Sequence, residues 1–118
     1  MNQRKTGSVY EQKAALELQR QGYKILEMNY HCKVGEIDII AKDKEYLVFV
    51  EVKYRKNAKA GMPQEAVHFQ KQKKISKTAA FYLMSHGYRD NVSVRFDVVS
   101  ILGDKIEVLK NAFPYCFG

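Results

Sequence analysis

Two stretches of this chain decide its fold: Gly35-Glu36-Ile37-Asp38-Ile39-Ile40-Ala41 and Tyr46-Leu47-Val48-Phe49-Val50-Glu51-Val52-Lys53-Tyr54-Arg55. Both alternate with a period of two and predict two strands. In the second, Tyr46, Val48, Val50 and Val52 point one way, and Leu47, Phe49, Glu51 and Lys53 the other. In the first, Asp38 shares a face with Glu36 and Ile40. With Lys44 and Glu45 as a two-residue hairpin loop, Asp38 stands opposite Glu51 and Glu36 opposite Lys53. Directly opposed side chains of an antiparallel pair sit roughly 4.5–5.5 Å apart at Cβ. Two carboxylates that close repel, and a divalent cation with Lys53 beside it resolves the conflict. The competing reading is an ordinary solvated hairpin face. Leu47, Phe49 and Ile40 on the same face argue that it is covered, and buried charges need partners.

The chain of 118 residues is 46% hydrophobic, which fits one domain, residues 1–118, around one core. Its apolar runs are too short to span a bilayer, and Met1 to Gly7 lacks the apolar segment of a signal peptide. Cys32 and Cys116 have no metal-ligand spacing and predict free thiols in a cytoplasmic, reducing setting. His31, His68 and His86 are scattered, which argues against a zinc site. Lys and Arg number 20 against 13 Asp and Glu, a formal charge of +7. An anionic partner follows, most simply nucleic acid, with no membrane association expected.

Working outward, Ser8 and Glu11 form a capping-box pattern that predicts a helix from there to Gln21, stopped by Gly22. Tyr10, Ala14, Ala15 and Leu18 give it an apolar stripe. The cap accounts for Glu11 by itself; Glu11 also reaches a metal if this helix end lies beside the hairpin, and the local pattern favours the cap. Tyr23 to Asn29 predicts the first strand, Tyr30 to Val34 a loop, and Gly35 a tight turn into the hairpin. Asn57 to Met62 predicts a basic loop, with Pro63 opening a helical region that Gly87 ends. Ile75, Ala79, Tyr82 and Leu83 form its core face. Lys71, Lys73, Lys74 and Lys77 stand along its flanks, where a solvated face and a phosphate-binding face both fit. Val92 to Leu102 alternates, with Val94, Phe96 and Val98 opposite Arg95, Asp97, Val99 and Ile101. Asp97 reads as an ordinary strand polar residue before a further site carboxylate. Gly103-Asp104 is a turn, Lys105 to Leu109 a last strand, and Phe113 to Phe117 an aromatic tail that packs on the domain or on another chain. The order α-β-β-β-α-β-β predicts an antiparallel meander of three strands, a parallel crossover and a mixed sheet flanked by helices, an α/β domain.

Asp38 followed by Glu51-Val52-Lys53 resembles the Asp-(spacer)-Asp/Glu-x-Lys signature of the restriction-endonuclease-like nuclease superfamily. Glu11 on a preceding helix resembles the extra carboxylate of its archaeal Holliday-junction-resolvase branch. Gly35 to Ala41, Phe49 to Arg55 and Phe96-Asp97-Val98-Val99 are similar to the small bacterial YraN-like family. The resemblance implies a restriction-endonuclease-like fold and a magnesium- or manganese-dependent phosphodiesterase. In it Asp38, Glu51 and the Val52 carbonyl hold the metal, Glu11 holds a second metal or supports the first, and Lys53 orients the attacking water. Arg55, Lys71 and Glu36 become supporting or phosphate-contacting groups. The chain has no helix-turn-helix or zinc-finger pattern, so sequence-specific cleavage is not expected. Recognition of branched DNA by shape fits better, and a four-way junction suits a homodimer. A nucleic-acid-binding module without chemistry and a basic adaptor protein are the two other functions compatible with these residues.

Overall fold

The computed structural model describes residues 2–57, 68–89 and 91–116, with residues 2–8 described by their backbone alone. The elements run α1 (Asn2–Arg20), β1 (Lys24–His31), β2 (Glu36–Asp43), β3 (Tyr46–Arg55), α2 (Phe69–Ser85), β4 (Ser93–Leu102) and β5 (Lys105–Leu109). This is the order read from the sequence. The sheet runs β1-β2-β3-β4-β5. β1, β2 and β3 form an antiparallel meander, β3 pairs parallel with β4, and β5 returns antiparallel. A parallel neighbour needs a crossover of a dozen or more residues, and α2 lies within it.

The two faces of the sheet carry separate cores, as the alternation in β3 requires. Tyr46, Val48, Val50 and Val52 join Ala14 and Leu18 of α1. Leu47 and Phe49 join Ile75, Ala79 and Tyr82 of α2, with Phe96 and Val98 of β4. Phe113 stacks on Phe96 with ring centroids 5.1 Å apart, and Tyr115 meets Phe96 edge-on, so the described part of the tail packs on its own domain.

Both helices end as their glycines predict. At Gly22 (φ 101°), Tyr23 N–H donates to Leu18 O and Gly22 N–H to Gln19 O. At Gly87, Tyr88 N–H donates to Leu83 O and Gly87 N–H to Met84 O. Each is the paired hydrogen-bond pattern that caps a helix through a left-handed residue.

Four expectations need correction. First, α1 starts at Asn2, so Ser8 lies inside the helix and does not cap it. Gln3, Arg4 and Lys5 are good helix formers and carry the helix past the capping-box pattern. Second, β1 extends to His31, and Tyr30, expected in a loop, is a buried core residue. Third, Asp97 is no ordinary strand polar residue. It is fully buried and accepts hydrogen bonds from Tyr23 Oη at 2.6 Å, Arg95 Nε at 2.9 Å and Asn111 N–H at 2.9 Å. Arg95 also reaches Asp43 at 2.8 Å and holds that carboxyl below the usual range. The network ties the segment between α1 and β1 to β2, β4 and the tail, and it occupies Asp97 completely. Fourth, Gly35 is not required by a left-handed turn. A Cβ there would stand 2.7 Å from Thr78 Oγ1 of α2. Glycine lets the start of β2 approach α2 closely. The expected helix start at Pro63 and most of the preceding loop lie outside the described residues.

Gly35→Ala is expected to destabilise the protein by about 1–3 kcal/mol in chemical denaturation, the cost of overpacking a tight contact. In a Thr78→Ala background the same substitution should cost clearly less. Equal costs in both backgrounds would remove Thr78 as the reason for glycine.

Candidate functional site

The site is built where β2 and β3 part. Their ladder has the register expected from a Lys44-Glu45 loop, Asp43 opposite Tyr46 through Ile39 opposite Val50. Lys44 takes the left-handed φ of 56° that such a tight loop demands. Beyond Ile39 and Val50 the two strands stop pairing with each other. β2 continues along β1 as far as Glu36, and β3 continues along β4 as far as Arg55. Asp38 lies in the opening, and its Oδ2 accepts the Val52 N–H at 2.8 Å. That carboxylate takes the place of the missing ladder acceptor for Val52.

Strict alternation does not survive this opening. Ile37 and Ile40 both belong to the α2-side core, while Ile39 belongs to the α1 side. Asn29, across from Asp38 on β1, has a left-handed φ of 55°. Asparagine tolerates that conformation better than most residues. The simple face shared by Glu36, Asp38 and Ile40 is therefore replaced by a local twist around Asp38.

Glu51 is buried, at 7% exposure, on the α2 side of β3. Burial first, and the charge of Asp38 second, pushes its carboxyl up to about 7, against the pull of Lys71 and Lys53. Lys71 Nζ stands 3.8 Å from Glu51 Oε2. From the other side, α1 delivers Glu11. Because Ser8 is not its cap partner, Glu11 is left without the structural role that the local sequence pattern favoured. Burial and the charge of Asp38 push it up to about 7 as well, against a hydrogen bond from Asn29. Its Oε1 is buried and has no hydrogen-bond partner among the described residues.

Asp38 is thus flanked by two carboxyls, one from each side of the sheet. Oxygen ligands of this kind suit magnesium or manganese. The orphaned Glu11 oxygen and the two raised pKa values are what crowded carboxyls produce without a compensating cation. Yet among the described residues no group of three His, Cys, Asp or Glu side chains is arranged to hold a metal ion. The donor chemistry fits such an ion, and the closed ligand set is not formed.

The remaining candidates divide by element. Lys53 is half-buried beside Glu51 on β3, and Arg55 ends that strand, its carbonyl accepting Gly103 N–H at 2.8 Å. Lys73, Lys74 and Lys77 line an open cleft of about 430 Å³ with Val34 and Gln70. Lys74 also lines an adjoining cleft of about 370 Å³ with Lys71, Gly35, Glu36, His31, Cys32 and Ile75. Lys71, at the Glu51 end of this row, therefore connects the lysine clefts to the carboxylates. Asn29 was not singled out by sequence reasoning, although asparagine is one of the few residues that enter the left-handed region readily.

Residues 10–101 match the model of the uncharacterised protein family UPF0102. The match covers Glu11, the hairpin and α2, and stops before β5. A UPF0102 protein of Lachnoclostridium phytofermentans is 49% identical over 113 residues, 96% of each chain. One of Syntrophus aciditrophicus is 48% identical over 118 residues, 97% of this chain and 92% of the relative. One of Caldicellulosiruptor bescii is 44% identical over 119 residues, 96% of this chain and all of the relative.

Glu11 and Glu51 have folded pKa values near 7, above the ordinary carboxyl value of 4.5. Between those values the folded protein binds more protons than the unfolded chain, so stability falls as pH rises through about 7. In thermal melts with chelator, Glu51→Gln should raise Tm by several degrees at about pH 8 and much less at about pH 5. A Tm difference independent of pH would remove these carboxyls as its cause.

Proposed function

The chain belongs to the UPF0102 family, and we propose that it is a metal-dependent, structure-selective DNA endonuclease that hydrolyses phosphodiester bonds. The observation that carries this reading is the gathering of Glu11 and Glu51 around Asp38 at the β2–β3 opening, with Lys53 and Lys71 beside Glu51. Membership of the restriction-endonuclease-like superfamily is part of the same proposal. It is supported by the Asp38, Glu51-Val52-Lys53 pattern on two antiparallel strands followed by a parallel crossover.

Asp38, Glu51 and the Val52 carbonyl would hold magnesium or manganese, with Glu11 completing or supporting the set. The ion, when bound, supplies Lewis-acid activation of the phosphate and of the attacking water. The protein's own groups do the rest. Asp38, fixed by Val52 N–H, sets the position of the other carboxyls. The Lys53 ammonium orients water and offsets negative charge as the phosphorus centre is attacked. The row Lys71, Lys74, Lys73 and Lys77, with Arg55, contacts backbone phosphates. A site built on backbone contacts selects DNA by shape, which favours branched or flapped substrates. Among the described residues no helix is long and apolar enough to cross a membrane. A homodimer on a four-way junction and a cytoplasmic setting complete the proposal.

A second reading, nucleic-acid binding without chemistry, is favoured by one observation: the carboxylates do not form a closed ligand set. Labelled single strands, duplexes, flaps and four-way junctions, incubated with magnesium, manganese or chelator, separate the two. Branched substrates should be cut only with a divalent ion. Glu51→Ala should lower the rate at least about a hundredfold while still binding DNA. Lys53→Ala should slow cutting without abolishing metal-induced thermal stabilisation. Salt-sensitive binding with no cutting by the wild-type protein would select the binding module.

The α2 lysines make a separate prediction. Lys73→Glu or Lys77→Glu should weaken DNA binding and reduce the slope of log affinity against log salt by about 1 or more. An unchanged slope would place those lysines outside the footprint.

A further inference from the structure

Tyr10 and Tyr54 lie face to face, with ring centroids 3.9 Å apart and planes 18° from parallel. Tyr10 immediately precedes Glu11 on α1, and Tyr54 immediately follows Lys53 on β3. The pair lies on the α1 side of the sheet, and its two residues are bonded in sequence to two of the candidate site residues. Tyr10 is half-buried and packs on the α1-side core. Tyr54 remains 40% exposed although Tyr10 covers one of its faces. Lys13, one helical turn after Tyr10 and itself exposed, holds its ammonium 5.8 Å from the Tyr10 ring centroid.

We propose that this pair is a base-stacking platform that receives an unpaired nucleotide beside the carboxylates, with Lys13 in reach of its backbone phosphate. The proposal rests on the nucleic-acid reading above and deepens it by naming what the enzyme selects. Tyrosine rings anchored on a core need little further ordering on binding, because Tyr10 already fixes the orientation of Tyr54. Every base presents a π-face, so such a platform is indifferent to sequence. It does discriminate by structure. In an intact duplex both faces of each internal base are covered by neighbouring bases, whereas a flap, gap or junction offers a free face. The tyrosines provide the stacking surface, Lys13 a charge for the phosphate, and the carboxylates mark the position of the diester.

A purely structural pair would be expected to seal α1 against the sheet. Tyr10 does this. The exposed side of Tyr54 contributes little to that seal and is the surface the proposal uses.

The test uses the full chain in chelator, so that no cutting occurs. Three probes are titrated: a single strand and a flap, each with one 2-aminopurine in the unpaired segment, and a fully paired duplex. The wild-type protein should quench 2-aminopurine and bind the unpaired probes more tightly than the duplex. Tyr54→Ala should lose the quench and weaken binding to the unpaired probes roughly tenfold, with the loss confined to those probes. Tyr54→Leu, which keeps an apolar side chain without a π-face, should behave like Tyr54→Ala, and Tyr54→Phe should restore both quench and affinity. If the wild-type protein binds all probes with the expected salt dependence and folded Tyr54→Ala and Tyr54→Leu bind them equally well, the platform is wrong and the nucleic-acid reading stands. If the wild-type protein binds none of the probes, both fall together.

Discussion

The hydrogen bond from Val52 N–H to Asp38 stands where β2 and β3 part, at the candidate site. Where β2 and β3 separate, each strand keeps its outer partner and loses its inner one. A buried backbone N–H without an acceptor is costly, and Asp38 supplies the acceptor from its side chain. In doing so it turns a frayed hairpin into a fixed notch. Glu51 is one residue from the donor, and Glu11 arrives from α1 on the other side. The same opening holds the local twist that puts Ile37 and Ile40 in one core.

The sheet has two charged centres with opposite characters. The Tyr23, Arg95, Asp97 and Asp43 network is saturated: Asp97 and Asp43 receive Arg95, and Tyr23 closes the set. It fastens strands and carries no spare capacity. The centre around Asp38 is unsaturated, with two carboxyls pushed toward the neutral form and one buried oxygen unmatched. Burying like charges together destabilises a fold, and their gathering at one notch is what the proposal of a bound cation rests on. The lysines of α2 and the ring pair of α1 and β3 then lie on the two sides of that notch, one charged and one aromatic.

Much of this was legible in the chain. The alternation of Tyr46 to Arg55 gave the two faces of the sheet, because a strand's period of two is a local steric property. The hairpin register followed from loop length as far as Ile39 opposite Val50; the expected pairs Asp38–Glu51 and Glu36–Lys53 do not form, because the ladder opens there, and Asp38 meets Glu51 across the opening instead. Gly22 and Gly87 marked helix ends through the conformational freedom that only glycine offers cheaply. Other residues misled. Ser8 and Glu11 read as a cap since a capping pattern is local, while the helix continued on the propensities of Gln3, Arg4 and Lys5. Gly35 read as a turn because its actual constraint, the approach of Thr78, is 43 positions away in the chain.

The sequence by itself determined the elements, their order, the α/β class and the family, for these depend on short-range periodicity, turn chemistry and similarity along the chain. It also put Asp38, Glu51 and Lys53 on two consecutive, antiparallel strands. Only the tertiary structure decided what happened to Glu11, to Asp97 and to Tyr10 with Tyr54. Glu11 and the ring pair depend on how α1 docks on the sheet, and Asp97 on how Tyr23, Arg95 and Asn111 converge on it. Docking is set by packing between residues tens of positions apart, and no local pattern encodes which polar groups that packing will satisfy and which it will leave unmatched.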